Sequence, residues 1–306
     1  MAAECGHHGT ITRGAQVIIL FGLAIVFVCV FGSFIIAGGQ FSIIAGALPQ
    51  ELLVIAGAAA GSFIIANSGT NLRRAVEGVR RAFNGERWER ADYRDLLSLL
   101  FLLIKALRTK GVIAVESHVE NPAESRLFQS FPRIAADPQL VAFICDYVRM
   151  MTMNFEDPNQ MADAMEADLD RHLAEEYQAQ SALQTLADSL PALGIVAAVL
   201  GVIKTMGAID QPTDVLGAMI GGALVGTFLG VLLSYTVVGP IASRLAQVIE
   251  SEAKFLTLVK TVIIAHLQGQ APQVAVEIGR RATPSNHAPS FAELEAAIEG
   301  LPTDLV

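Results

Sequence analysis

The sequence predicts an all-α membrane protein, with four transmembrane helices and a large helical cytoplasmic domain between the second and third. Three observations carry that prediction. The 306 residues are 53% hydrophobic and only 17% charged, with a mean hydropathy of +0.49. A soluble globule averages roughly 45–50% apolar and about 25% charged residues. Long uncharged runs occur at 17–36, 52–66, 190–206 and 215–238. The basic residues, finally, are gathered into particular connections.

A polar leader, 1–16, holds His7, His8 and Arg13. A signal peptide would follow such a leader with a short core of about 7–15 residues and a cleavage site. The run 17–36 is apolar or small throughout, long enough to cross a core of roughly 30 Å at about 1.5 Å per residue. It reads as a retained span. The second run is short, about 22 Å as a helix, so it is expected to extend toward Pro49 or to stand untilted. Lipid leaves backbone polar groups no partner except their own segment, so all four runs are helices. The connections 37–51 and 207–214 are brief, which makes two hairpins, 17–66 and 188–240. A polar middle, 67–187, separates them, and a polar tail, 241–306, ends the chain.

Fourteen of the 21 basic residues lie between spans two and three, five come after span four, and neither short connection carries any. Arg73, Arg74, Arg80 and Arg81 crowd just behind span two, where basic residues hold a loop in the cytoplasm. Both termini and the middle segment are therefore assigned to the cytoplasm, in a multi-pass membrane protein.

The middle segment reads as helical. Leu96, Leu97, Leu99, Leu100, Leu103, Ile104 and Leu107 recur at helical spacing. Asp92 and Asp95 stand at the front and Lys105 and Arg108 at the back, as the helix dipole favours. Gly111 offers a stop, and Asn121-Pro122 and Asp137-Pro138 punctuate the chain beyond it. An acidic helix over 159–187 runs toward span three, and 241–267 continues span four. From Gly269 onward, Pro272, Pro284, Pro289 and Pro302 predict mostly loop, with a short helix near 291–298.

Several function classes are excluded. A net charge of -9 argues against a nucleic-acid binder. Cys5, Cys29 and Cys145 form no paired framework and give no disulfide signal. No nucleophile–base pair, clustered metal ligands or glycine-rich phosphate loop is present, so neither an enzyme nor a cofactor is expected.

Small residues at four-residue spacing mark packing faces: Gly57 and Gly61 in span two; Gly217, Gly221, Gly222, Gly226 and Gly230 in span four. The alternative is that small residues are simply frequent in membrane helices. No Asp or Glu falls within the spans as drawn, so a proton relay would need a carboxylate from another chain. Lys204 is expected to snorkel toward the outer surface. Thr227 and Tyr235 are the polar groups of span four, and the Thr227 hydroxyl is free either to bond its own helix or to serve an ion. Pro191 starts span three and Pro240 ends span four. Each reads either as helix punctuation or as a hinge.

Several segments together carry a resemblance. They are Gly32-Ser-Phe-Ile-Ile-Ala-Gly-Gly39, Ile55-Ala-Gly-Ala-Ala-Ala-Gly-Ser-Phe-Ile64, Val119-Glu-Asn-Pro-Ala-Glu-Ser125, Phe131-Pro-Arg-Ile-Ala-Ala-Asp137, Asp188-Ser-Leu-Pro-Ala-Leu-Gly194 running on to Val202, and Leu224-Val-Gly-Thr-Phe-Leu-Gly230. The tail adds Ala271-Pro-Gln-Val-Ala-Val-Glu-Ile-Gly-Arg280 and Pro289-Ser-Phe-Ala-Glu-Leu-Glu295. In this order they resemble the MotA family of flagellar stator subunits along nearly the whole chain.

The resemblance implies a homo-oligomeric ring around a dimer of MotB. The MotB helix would bring an ion-carrying aspartate, and its periplasmic domain would grip peptidoglycan. The cytoplasmic domain would push on the rotor switch protein FliG. The family's torque residues match Arg108 and Glu116, either side of Gly111. Its hinge prolines match Pro191 and Pro240. Sodium-driven relatives carry a threonine where this chain has Ala198, while the second ion-pathway threonine matches Thr227. A sodium ion wants several oxygens, so the missing hydroxyl implies proton drive. The competing reading is the related ExbB/TolQ type of envelope energiser, which has three spans rather than four.

Overall fold

The computed structural model describes residues 8–153, 155 and 157–302. The first seven residues of the leader, Cys5 and His7 among them, and the last four of the tail lie outside the described part. Every regular element among the described residues is helical. In chain order these are α1 (His8–Ile36), α2 (Phe41–Ala66), α3 (Gly69–Asn84), α4 (Arg90–Lys110), α5 (Val112–Glu120), α6 (Arg126–Gln129), α7 (Pro132–Ala135) and α8 (Pro138–Thr152). They continue as α9 (Pro158–Met206), α10 (Thr213–Leu233), a π turn (Ser234–Val238), α11 (Gly239–Leu267), α12 (Pro272–Ala282) and α13 (Phe291–Glu299). Two compact units result, one of Met1–Gly85 with Glu175–Val248, the other of Glu86–Ala174 with Ile249–Val306.

The first unit holds four helices long and apolar enough to cross a membrane. Val17, Ile18, Leu20, Phe21 and Val28 of α1 stand exposed, as side chains do where hydrocarbon is the solvent. α1 and α2 are joined more tightly than the uncharged runs predict. Gly38 takes φ 80°, and the Gly38 and Gly39 N–H groups donate back to Ile35 (3.0 Å) and Phe34 (2.9 Å). α2 then begins at Phe41 and carries Pro49 inside it. A proline there forfeits one backbone bond, but the flanking residues continue the helix, and the expected long loop shrinks to 37–40. A carboxylate, Glu51, thereby falls within a span. The expectation of spans free of Asp and Glu is corrected on this point.

α3 comes next, capped by the Ser68 hydroxyl accepting from the Asn71 N–H. Its arginines pair with α9, Arg74 with Glu175 at 3.3 Å and Arg81 with Glu176. α9 and α10 approach backbone to backbone. A β-carbon at Gly230 would stand 2.5 Å from the Leu190 carbonyl oxygen and 2.9 Å from the Gly194 Cα. One at Gly194 would meet the Gly226 carbonyl oxygen at 2.7 Å. Gly226 and Gly230 of span four thus form a packing face toward α9, Gly221 and Gly222 face Ile43 and Ala47 of α2, and Gly57, Gly61 and Gly217 have nothing within 4 Å.

The second unit is built on α4, whose residues from Leu96 to Ile104 are buried without interruption. A helix apolar all round must be covered all round. Its first turn is a capping box in which Asp92, 1% exposed, accepts from the Glu89 N–H at 2.8 Å. Arg133 reaches the other oxygen at 2.9 Å. Burial nonetheless pushes the Asp92 carboxyl up, against the pull of that N–H and of Arg133. Trp88 stacks on Phe255 at 4.3 Å between ring centres, and Tyr93 meets the same ring edge-on at 4.8 Å. The tail is more helical than its prolines predict. Pro272 occupies a first turn, where it is tolerated, and α12 buries Ala275, Val276 and Gly279. α12 and α13 complete the cover over α4.

The packing face is testable by contrast. Gly230→Ala overpacks a backbone contact, a change that typically costs about 1–3 kcal/mol. Gly57→Ala enters open space in a helix interior, where alanine gains about 0.5–1 kcal/mol over glycine. Thermal unfolding in detergent should therefore show Gly230→Ala melting lower than the parent and Gly57→Ala melting at or above it.

Candidate ion pathway

Three membrane helices of the first unit converge on one point. A β-carbon at Gly226 would lie 2.5 Å from Glu51 Oε2 of α2, 3.0 Å from the Ala197 Cβ and 3.1 Å from the Ala198 backbone nitrogen of α9. One at Gly194 would stand 3.3 Å from the Thr227 Cα. The two residues expected in the ion pathway, Ala198 and Thr227, are thus brought to the same α9–α10 contact, both half-buried. Thr205 and Thr236 donate their hydroxyls one turn back, to Gly201 (2.9 Å) and Leu232 (2.6 Å). Thr227 makes no such bond among the described residues, which leaves its hydroxyl available.

Counting uncharged runs misses Glu51. It is 6% exposed, and its Oε2 is buried with no hydrogen-bond partner among the described residues. It borders a cavity of about 520 Å³ lined also by Gln40, Ser42, Gln50, Lys204 and Thr205. Lys204 turns toward α2, its Nζ donating to Gln50 Oε1 at 3.3 Å. One signal could have found the residue. From Phe41 to Ala66 the chain has the length of a full span, and Glu51 is its only charge.

The two expected hinge prolines stand differently in their helices. Pro191 lies inside α9, where its missing N–H leaves the carbonyl one turn back without its usual donor. Pro240 is the second residue of α11, directly behind the π turn, whose Gly239 N–H donates to the Ser234 carbonyl. Such turns recur where a helix serves a function. The reading of Pro191 as a helix start is corrected, because it lies inside α9, whereas Pro240 occupies the first turn of α11, where proline is tolerated. The sequence carries no signal for the π turn itself.

The expected torque residues belong to the second unit. Arg108 is exposed in the last turn of α4, and its Nη1 donates to the Gln270 carbonyl at 3.3 Å. Glu116 is exposed on α5, and Gly111, at φ 80°, joins the two helices. Among the described residues no group of three His, Cys, Asp or Glu side chains is placed to hold a metal.

Comparison with known proteins places this architecture. Residues 20–111 match the family model for the motility protein A N-terminal region, and 138–257 match the MotA/TolQ/ExbB proton channel family. Motility protein A of Escherichia coli (strain K12) is 39% identical over 286 residues, covering 93% of this chain and 96% of that protein. A chain of the C. jejuni MotAB structure shares the fold with a TM-score of 0.69 at 18% identity, over 89% of this chain and 98% of that one. The flagellar MotAB stator complex from Bacillus subtilis gives 0.67 at 22% identity, over 84% and 92%. The N-terminal match separates the chain from the ExbB/TolQ alternative. This multi-pass membrane protein belongs to the MotA family of flagellar motor stator subunits, within the MotA/TolQ/ExbB proton channel family.

Proposed function

We propose that the chain assembles as a ring around MotB in the inner membrane and that proton passage along the α9–α10 wall drives its push on the rotor. The observation that carries this reading is the meeting of Ala198, Thr227 and Gly226 at one glycine-lined contact. The hairpins 17–66 and 188–240 sit in the bilayer, and 67–187 and 241–306 lie in the cytoplasm with both termini. The basic residues of α3, Arg73, Arg74, Arg80 and Arg81, support that orientation.

Most of the apolar side chains of α9 from Ile195 to Ile203 are exposed in the single chain. A membrane helix presents such a face to lipid or to another helix, and small residues nearby favour the helix. A MotB helix and neighbouring copies are its proposed occupants. The MotB aspartate would stand beside Ala198 and Thr227. Because Ala198 offers no oxygen, the ion is a proton rather than sodium. Pro191, and Pro240 with its π turn, are the points where α9 and α11 yield as the wall changes state. Arg108 and Glu116 are the charges that meet FliG.

Deleting the gene should leave cells flagellated and paralysed, whereas normal swimming with impaired siderophore uptake would contradict the stator reading. Rotation should follow the proton gradient. Swimming sustained by sodium after the proton gradient is collapsed would overturn the ion assignment. Arg108→Glu should cut torque while the ring still assembles, since an exposed contact of this kind is worth about 0–1 kcal/mol. Loss of assembly would instead make the residue structural.

A further inference from the structure

Glu51 has no role in the pathway as proposed. It is a carboxyl on a membrane helix, only 6% exposed in the single chain, with Oε2 unpartnered among the described residues. A carboxylate buried without a partner is costly, and an intramembrane acid marks an ion route by default. Packing does not explain it, because an apolar side chain of similar volume would fill the site without that cost. Gly226 is instead shaped to it: a β-carbon there would stand 2.5 Å from Glu51 Oε2. The same point lies 3.1 Å from the Ala198 nitrogen, so the carboxyl abuts the α9–α10 wall.

The other side of Glu51 borders the cavity of about 520 Å³. Gln40, Ser42, Gln50 and Thr205 give it a polar lining, and such a space holds water. α9 presents Lys204 to it, and α10 presents no charged side chain among the lining residues. Lys204 argues against a metal cation as the occupant, while a proton carried by water is compatible with it.

We propose that Glu51 is a second proton-binding site, supplied by this chain itself, that relays protons between the cavity water and the α9–α10 wall. In the step, a hydronium ion in the cavity water gives its proton to a Glu51 carboxylate oxygen and is left as water, and the carboxylic acid then releases the proton to a water or an ionised carboxylate at the wall. No other bond changes. The relay rests on the stator reading and deepens it.

The test uses the full complex with its partner subunit in liposomes, with proton flux recorded over a range of external pH. Glu51→Gln keeps the shape and removes the titration. Flux should fall several-fold and its dependence on external pH should flatten, while Glu51→Asp retains part of both. Dicyclohexylcarbodiimide, which adds to protonated carboxyls in apolar surroundings, provides a readout on the unaltered protein. Mass spectrometry should find the adduct on Glu51, forming faster as pH falls. Unlabelled Glu51, or a Glu51→Gln complex with the parental flux and pH profile, overturns the relay. Failure of the parental complex to conduct protons would instead overturn the stator reading, so the two failures are distinguishable.

Discussion

The membrane part of this protein depends on backbone contact between α9 and α10, which only glycine permits. Within lipid, apolar surface gains nothing by leaving one helix for another, so association rests on close packing and on polar contacts. Gly194, Gly226 and Gly230 supply the closeness: a β-carbon at any of them would come within 2.5–2.7 Å of an oxygen already in place. Everything at the candidate pathway depends on that approach. Ala198 faces Gly226 and Thr227 faces Gly194 because the two helices touch there, and Glu51 is buried because α2 closes over the same notch. A single added methyl would move all three.

The second unit solves a different problem in water. The middle of α4, from Leu96 to Ile104, is apolar but for Ser98 and must be wrapped, and α5, α6, α7, α12 and α13, with Phe255 of α11, share the work of burying it. Of the polar groups admitted near it, Asp92 is paired with the Glu89 N–H and Arg133, while the buried Tyr93 hydroxyl has no hydrogen-bond partner among the described residues. The charges at its far end, Lys105 and Arg108 among them, stand exposed.

Most of the architecture was legible because lipid and water impose different periodicities. The four spans, the helical course of Leu96 to Leu107, and the continuation of spans three and four into long helices could all be read from hydropathy and charge order. What failed were rules that treat a charge or a proline as an end. Glu51 comes directly after Pro49 and Gln50, three residues that together look like a loop. α2 nevertheless runs through them because Phe41 to Leu48 is again apolar or small. Pro191 reads partly as a boundary for the same reason. Pro272 reads as a helix breaker, yet it begins a helix. At the site, Ala198 and Thr227 came from resemblance, and geometry then brought them together. The approach of Glu51 to Gly226 is tertiary, so no spacing within one segment could have announced it.

In the proposed complex the α9–α10 wall at Gly226, closed by α2, faces the ion path. An imaged structure of the complex with its proposed partner, resolved well enough to place side chains, tests it most directly. The partner's membrane helix is expected against α9 and α10, with its acid at the level of Ala198 and Thr227 and a water-accessible route reaching Glu51. A partner helix seated on the exposed face of α1, with Ala198 and Glu51 turned toward lipid, would contradict it.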